Sequence, residues 1–345
     1  MQQFAALRSE AIDSVTARFY QEYSSVYAQF GATGRDACRE DLGYHLEFLR
    51  SVLEFGMLGP MVEYLRWLEG VLETRGIPTE HLQKSLDWLS EFLGARMDAS
   101  AAKVVVAALS AVKSKFLEKT SSPPANYASM PSAWPDCAEF EAALLAGDRR
   151  TAAAMMERSL AQGRSLIETE LHMIQPALYR IGDKWQSNQV SVVQEHLATA
   201  IARSVMVQGM VKCKLAEPNG KKVLLACVEG NHHALGLQMV ADAFELAGWE
   251  VNYIGANVPT ASLVGHVGSW KPDLLGLSVS FPHQFPVVKL VIARLIESLG
   301  AGRPPVVIGG LAINKFHNLA DRIGADAWSP DAAAAVVSGD RLVAA

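Results

Sequence analysis

The chain has 345 residues, half of them hydrophobic and 19% charged, with 31 Lys and Arg against 36 Asp and Glu for a formal charge of −5. At ~100–200 residues per domain this length accommodates two or three domains with real cores, which excludes wholesale disorder. The slight acidity and the lack of any basic tail argue against nucleic acid as the main partner.

In chain order, the N-terminus shows no charged region followed by an apolar one, so no signal peptide is expected. Residues 1–118 read as helix. Within 36–55 the apolar residues Leu42, Leu46, Leu49, Val52 and Leu53 keep the three-and-four spacing of one buried face. Further helices are predicted over 61–73, 81–93 and 101–118, with Gly76 and Pro78 as a stop between the first two. The longest apolar stretch, near residues 104–112, is far short of the ~20 that span a bilayer. A Pro- and Ser-rich segment, 121–135, reads as a linker. Residues 136–216 divide at Gly147, Gly163 and 182–189 into about four helices, a small bundle. From 217 to 345 short β-rich runs at 223–228, 251–254, 274–280, 306–308 and 325–328 alternate with helix-length amphipathic stretches. That rhythm predicts a flavodoxin-like doubly wound parallel sheet with ligands beyond the strand carboxyl ends. The fold class is thus multidomain, α followed by α/β. The four cysteines, Cys38, Cys137, Cys213 and Cys227, show no metal or disulfide spacing, and a cytoplasmic protein without membrane contact is expected.

The loop after the first predicted strand reads Glu229-Gly230-Asn231-His232-His233-Ala234-Leu235-Gly236. A His there points out at the site end of the sheet, where a neutral imidazole is a good transition-metal ligand and a polar neighbour can orient its other nitrogen. The alternative is a solvent-exposed loop histidine. Asn231-x-His233-x-x-Gly236, then Ser278-Val279-Ser280, then Gly309-Gly310 resembles the signature of the cobalamin-binding domain family over residues 221–345. The resemblance implies that His233 is the lower axial ligand of cobalt and that Ser278 lines the slot of the displaced nucleotide tail. It also implies that Gly309 and Gly310 allow a close approach of backbone to that tail. Asn231 stands where the family has Asp; it can still hydrogen-bond the imidazole but cannot relay a proton or tune the ligand's basicity as a carboxylate would. Ser280 stands where the family has Leu. His232 is a competing ligand that the spacing to Gly236 disfavours.

Upstream, Ile181-Gly182-Asp183-Lys184-Trp185 and Val190-x-Val192-x-x-Glu195-His196 resemble the four-helix cap of methionine synthases and of light-sensing cobalamin-dependent regulators. The resemblance implies that Trp185 covers the upper corrin face and that Glu195, with His196 beside it, meets the organic upper ligand. A bulky Trp suits adenosylcobalamin better than an open face for methyl transfer. A core Trp and an ordinary exposed Glu-His pair are the alternative.

In the N-terminal segment, Cys38-Arg39-Glu40-Asp41-Leu42-Gly43-Tyr44-His45 followed by Gly59-Pro60-Met61-Val62-Glu63-Tyr64-Leu65 is similar to phycobiliproteins, globin-like holders of linear tetrapyrroles. The similarity implies a globin-like domain over 1–120, with Cys38 bearing a bilin and Asp41 accepting hydrogen bonds from its inner pyrrole N–H groups. Glu40 occupies the usual Arg site and His45 replaces a Tyr, which leaves noncovalent biliverdin as the alternative to a bond at Cys38. Tyr44, Tyr64 and Trp67 are candidates to line the pocket. A bilin domain joined to a cap and a cobalamin domain resembles the photocobilins. That implies a light sensor without catalytic turnover, in which photolysis of the cobalt–carbon bond rearranges the cap and acts on an unidentified protein effector. No basic helix-turn-helix is read, and a homo-oligomer is expected. The competing expectations are a corrinoid carrier for methyl transfer and a cobalamin-level sensor without a bilin.

Overall fold

A computed structural model describes residues 2–118 and 132–344. The chain divides into two compact units, Met1–Pro124 and Ala125–Ala345. Most of the predicted linker, 119–131, lies outside the described residues.

The first unit is helical. Its main helices are Gln2–Glu22, Gly31–Phe55, Gly59–Glu73, Thr79–Arg96 and Ala99–Leu117. The helix Gly31–Phe55 buries Leu42, Leu46, Leu49, Val52 and Phe55 and stops at Gly56, whose left-handed φ of +66° a side chain would resist. Asp98 starts the last helix by accepting the Ser100 and Ala101 N–H groups. Leu65, Leu86, Leu89 and Val112 close a common core around these elements.

The second unit opens with helices Cys137–Leu145, Arg149–Ala161, Leu166–Thr169, Gln175–Gln186 and Val192–Val211. The third and fourth run on through a π turn, Glu170–Ile174. Pro176 explains the irregularity: it has no N–H to return to the carbonyl one turn back. The His172 carbonyl instead accepts the Trp134 N–H at 2.9 Å.

Five parallel strands follow, β1 (Lys222–Val228), β2 (Glu250–Val258), β3 (Leu274–Ser278), β4 (Val306–Gly309) and β5 (Ala327–Ser329), in the order β2-β1-β3-β4-β5. β1 after Lys222 and β3 before Ser278 are apolar and buried because helices cover both faces. Three bounds differ from the sequence expectation by two residues or more. β3 ends at Ser278 because the Ser280 N–H is taken by the Gln284 side chain. β2 runs on to Val258 through an irregular pairing at Gly255, φ +92°. β5 starts two residues late, since Gly324 and Ala325 still close the preceding helical turn. No helix among the described residues is long and apolar enough to cross a membrane.

Candidate functional site

Neighbours β1 and β3 mark the point where the strand order reverses, and their connections leave in opposite directions to open a crevice. The registers place Cys227, Ser278, Gly309 and Ser329 in one row at the strand carboxyl ends. Two buried amides tie the loops on either side. Asn231 Oδ1 accepts the backbone N–H of His233 at 3.1 Å, while its Nδ2 donates to the Ser278 carbonyl at 2.9 Å. Gln284 Oε1 accepts the N–H groups of Ser280 and Phe281 at 3.0 and 3.1 Å, and its Nε2 donates to the Gly230 carbonyl at 3.0 Å. Both ends of the Asn231 amide are therefore held by backbone, and the expected hydrogen bond from Asn231 to the His233 imidazole is not made.

The His233 ring remains open to solvent and meets Phe281 edge to face, with centroids 5.0 Å apart and planes at 79°. The protein around the ring lowers its pKa, the charge of His232 adds to this, and Glu195 opposes it. The neutral imidazole is the form that ligates a metal. A Cβ at Gly236 would meet no atom within 4 Å, so the protein's own packing does not require glycine there. Gly310 is the opposite case: at φ +105° its Cβ would stand 2.5 Å from the Val279 carbonyl oxygen. The close approach made by Gly310 is thus to β3, and that of Gly309 is to the Ser329 carbonyl, 3.2 Å from its Cβ position. Ser278 is buried; Ser280 is partly exposed.

The helix Val192–Val211 begins at a Ser191–Gln194 capping box. Just inside it, Glu195 pairs with His196 Nδ1 at 2.5 Å and accepts the Thr199 hydroxyl at 2.9 Å. Val192, Val193 and Leu197 stand exposed around this pair, at 50%, 71% and 45%. Trp185 is half-buried near the end of the helix before. Among the described residues no three His, Cys, Asp or Glu side chains gather as a metal cage. A lone imidazole suits a metal that brings its equatorial ligands with it. The free volume at Gly236 and the exposed apolar side chains near Glu195 suit a broad macrocycle.

In the first unit, Asp41, His45 and Tyr64 come together. His45 Nδ1 lies 2.7 Å from the Asp41 carbonyl and 2.9 Å from the Tyr64 hydroxyl, which itself donates to that carbonyl at 3.2 Å. Burial lowers the His45 pKa to about 4, so the ring is neutral, Nδ1–H donates, and Nε2 is left a buried acceptor without a partner. Burial lifts the Asp41 carboxyl to about 7, with Glu40 adding and Arg75 opposing. Burial also lifts the Cys38 thiol to about 11, helped by Asp41. Tyr64 stacks on Phe48 at 4.1 Å and is buried, whereas Tyr44 and Trp67 reach the surface.

Sequence reasoning missed Phe281 and Gln284, though an aromatic and an amide directly after a buried strand were visible. It also missed a carboxyl pair: Glu170 on the π turn is fully buried and faces Asp242, itself buried on helix Leu235–Leu246. An acidic residue on an otherwise apolar helix face was the available signal.

The B12 binding domain family matches this chain twice, over residues 137–208 and 221–337. The HTH-type transcriptional repressor CarA of Myxococcus xanthus is 33% identical over 40% of this chain and 46% of its own length. Dimethylamine corrinoid protein 1 of Methanosarcina acetivorans is 30% identical over 42% of this chain and 70% of its own length. The chain spans about half the length of the two repressors it matches, 46% and 50%. The monomethylamine corrinoid protein of Methanosarcina barkeri shares the fold, with a TM-score of 0.50 at 20% identity, covering 59% of this chain and 96% of that one. The relatives named here are repressors and corrinoid proteins, in line with the expectation of a cofactor-bearing protein rather than an enzyme in its own right.

Proposed function

From a chain that belongs to the B12-binding corrinoid protein family, we propose a light sensor that carries adenosylcobalamin in its second unit and a bilin, biliverdin by preference, in its first. The observation that carries the corrinoid site is the solvent-open His233 at the switch-point crevice, its pKa lowered by the surrounding protein, beside open space at Gly236 and within range of the Glu195 charge. His233 would hold the cobalt; Ser278, Ser280, Gly309 and Gly310 would flank the nucleotide tail; Trp185, Glu195 and His196 would face the cofactor's organic ligand. When bound, the corrinoid supplies a cobalt–carbon bond that light breaks. The chain's part is to hold Glu195 and the apolar start of helix Val192–Val211 over that ligand, so that its loss leaves Val192, Val193 and Leu197 uncovered and shifts the cap toward a second packing. A protein effector reads that shift.

The bilin assignment rests on Asp41 and on the unpartnered His45 Nε2, both acceptors suited to pyrrole N–H donors. The protonated Cys38 thiol is a poor nucleophile, which favours noncovalent binding. Similarity to a transcriptional repressor, together with a bulky Trp185, favours sensing over methyl carriage. The test is the absorption spectrum of protein loaded with adenosylcobalamin and biliverdin, before and after illumination. Photoconversion with a red-absorbing bilin band is expected. A dark methyl exchange with a methyltransferase and no light response overturns the reading.

A further inference from the structure

The two loops that form the crevice are joined by side-chain amides, and the arrangement fixes one aromatic ring against the ligand imidazole. Asn231 runs from the His233 N–H to the Ser278 carbonyl, and Gln284 runs from the Ser280 and Phe281 N–H groups to the Gly230 carbonyl. Both amides are buried, at 0% and 1% exposure. Each needs an acceptor at one end and a donor at the other, a requirement that a carboxylate at 231 cannot meet: it would set an oxygen against the Ser278 carbonyl. With residue 231 so engaged, the ring contact recorded for His233 is the edge-to-face one with Phe281, and Phe281 in turn stacks on His283 at 5.5 Å and 16°. The Phe281 backbone is pinned by Gln284 to the same loop that bears His233, so the two residues are placed side by side before any ligand arrives.

We propose that Phe281 is the positioning residue for the His233 imidazole, and that Asn231 serves the loop backbone instead of the ring. This rests on the cobalamin reading above. An aromatic edge fixes the ring plane without supplying charge, so the imidazole is oriented but not made more basic. Full-length protein is loaded with hydroxocobalamin and reduced to the cobalt(II) state. The protein is labelled with 15N-histidine, so that a protein nitrogen splits the cobalt(II) electron paramagnetic resonance lines into doublets while the cofactor's own base gives triplets, and the ratio of the two is the His-bound to His-free ratio. His233→Ala abolishes the 15N doublets if His233 is the ligand; their absence from the native chain, or their persistence in His233→Ala, sinks the cobalamin reading itself. Given that loss, Phe281→Ala lowers the ratio of His-bound to His-free protein about two- to tenfold, the span of one edge-to-face contact, and Phe281→Tyr restores it. An unchanged ratio in Phe281→Ala, or no recovery in Phe281→Tyr, overturns the positioning role. Asn231→Asp lowers the melting temperature of the apoprotein without raising the His-bound ratio. A raised ratio there means that the carboxylate reaches the ring, and the assignment of Asn231 to the backbone fails.

Discussion

Asp41 and His45 illustrate how burial chooses the protonation state that a residue offers. His45 is neutral at any ordinary pH because its pKa falls to about 4, and its bare Nε2 can only accept. Asp41 titrates near 7 instead. A pyrrole N–H selects the ionised carboxylate, so a bilin held there would bind with release of a proton. Biliverdin affinity should therefore rise between pH 6 and pH 8 in the native chain and stay flat in Asp41→Asn, as followed by absorbance titration. The same shift acts on folding. A carboxyl raised from its ordinary value near 4 to about 7 has stability in hand below the lower value and loses it as pH climbs through the upper one. Asp41→Asn should thus unfold later than the native chain at pH 8 and no later at pH 3.5. The position of Asp41 one helical turn after Cys38 was legible in the sequence, as was the spacing that selects His233. The hydrogen-bond partner of Asn231 was not, because loop geometry decides whether an amide meets a ring or two backbone groups.

Among the secondary elements, the glycines at the strand ends separate packing from ligand space. Gly310 sits at φ +105° against the Val279 carbonyl, so Gly310→Ala should cost about 2–4 kcal/mol in urea unfolding from strain and overlap together. Gly236 lies in the first turn of helix Leu235–Leu246 with open space around it, and alanine there should raise stability by up to ~1 kcal/mol through helix propensity. Gly236→Ala should nonetheless weaken cobalamin binding, and equal affinity in a titration would remove this glycine from the site. Sequence pattern gave the strands because continuous apolar runs are unambiguous between turn residues. It misplaced the ends of β3 and β5, where the Gln284 side chain and a helical turn at Gly324 compete for backbone groups. Helix Leu235–Leu246 also carries Asp242, facing the π turn of the preceding helices. Burial raises Glu170 well above its ordinary value, with the charge of Asp242 adding, and burial raises Asp242 too, while Gln238 holds it at 2.8 Å. Burial raises the Cys213 thiol, with both carboxyls adding, and Glu245 adds to the shift of Asp242. Both carboxyls have folded pKa values above their unfolded ones, so stability is full below about pH 4 and declines as pH rises and the second proton is lost. Glu170→Gln should unfold at a higher temperature than the native chain at pH 8, with the difference vanishing near pH 4.

At the scale of the whole molecule, two compact units mean two separately addressable stabilities. Leu65, Leu86, Leu89 and Val112 belong to one; Phe140, Met173, Ala202 and Met206 belong to another, which also takes in Met239 and Ala243 from the helix after β1. The helices of residues 137–211 and the helix after β1 thus share apolar contacts within the second unit, and a ligand gripping both would stabilise them as one. A ligand that binds only the folded form adds RT ln(1 + [L]/Kd), about 2.7 kcal/mol at a hundredfold excess over Kd. Calorimetry of the full chain should therefore show adenosylcobalamin delaying the unfolding of the unit that bears His233, while biliverdin delays that of the unit bearing Asp41. The pigments can be told apart by substitution, since His233→Ala should diminish the first delay and leave the second, and Asp41→Ala paired with His45→Ala should do the reverse. Tryptophan emission assigns the transitions, because Trp134, Trp185 and Trp249 report on one unit and Trp67 and Trp88 on the other. If biliverdin delays the cobalamin transition alone, or if the paired substitution at Asp41 and His45 leaves its effect intact, the bilin does not sit at that cluster and the first unit has another task.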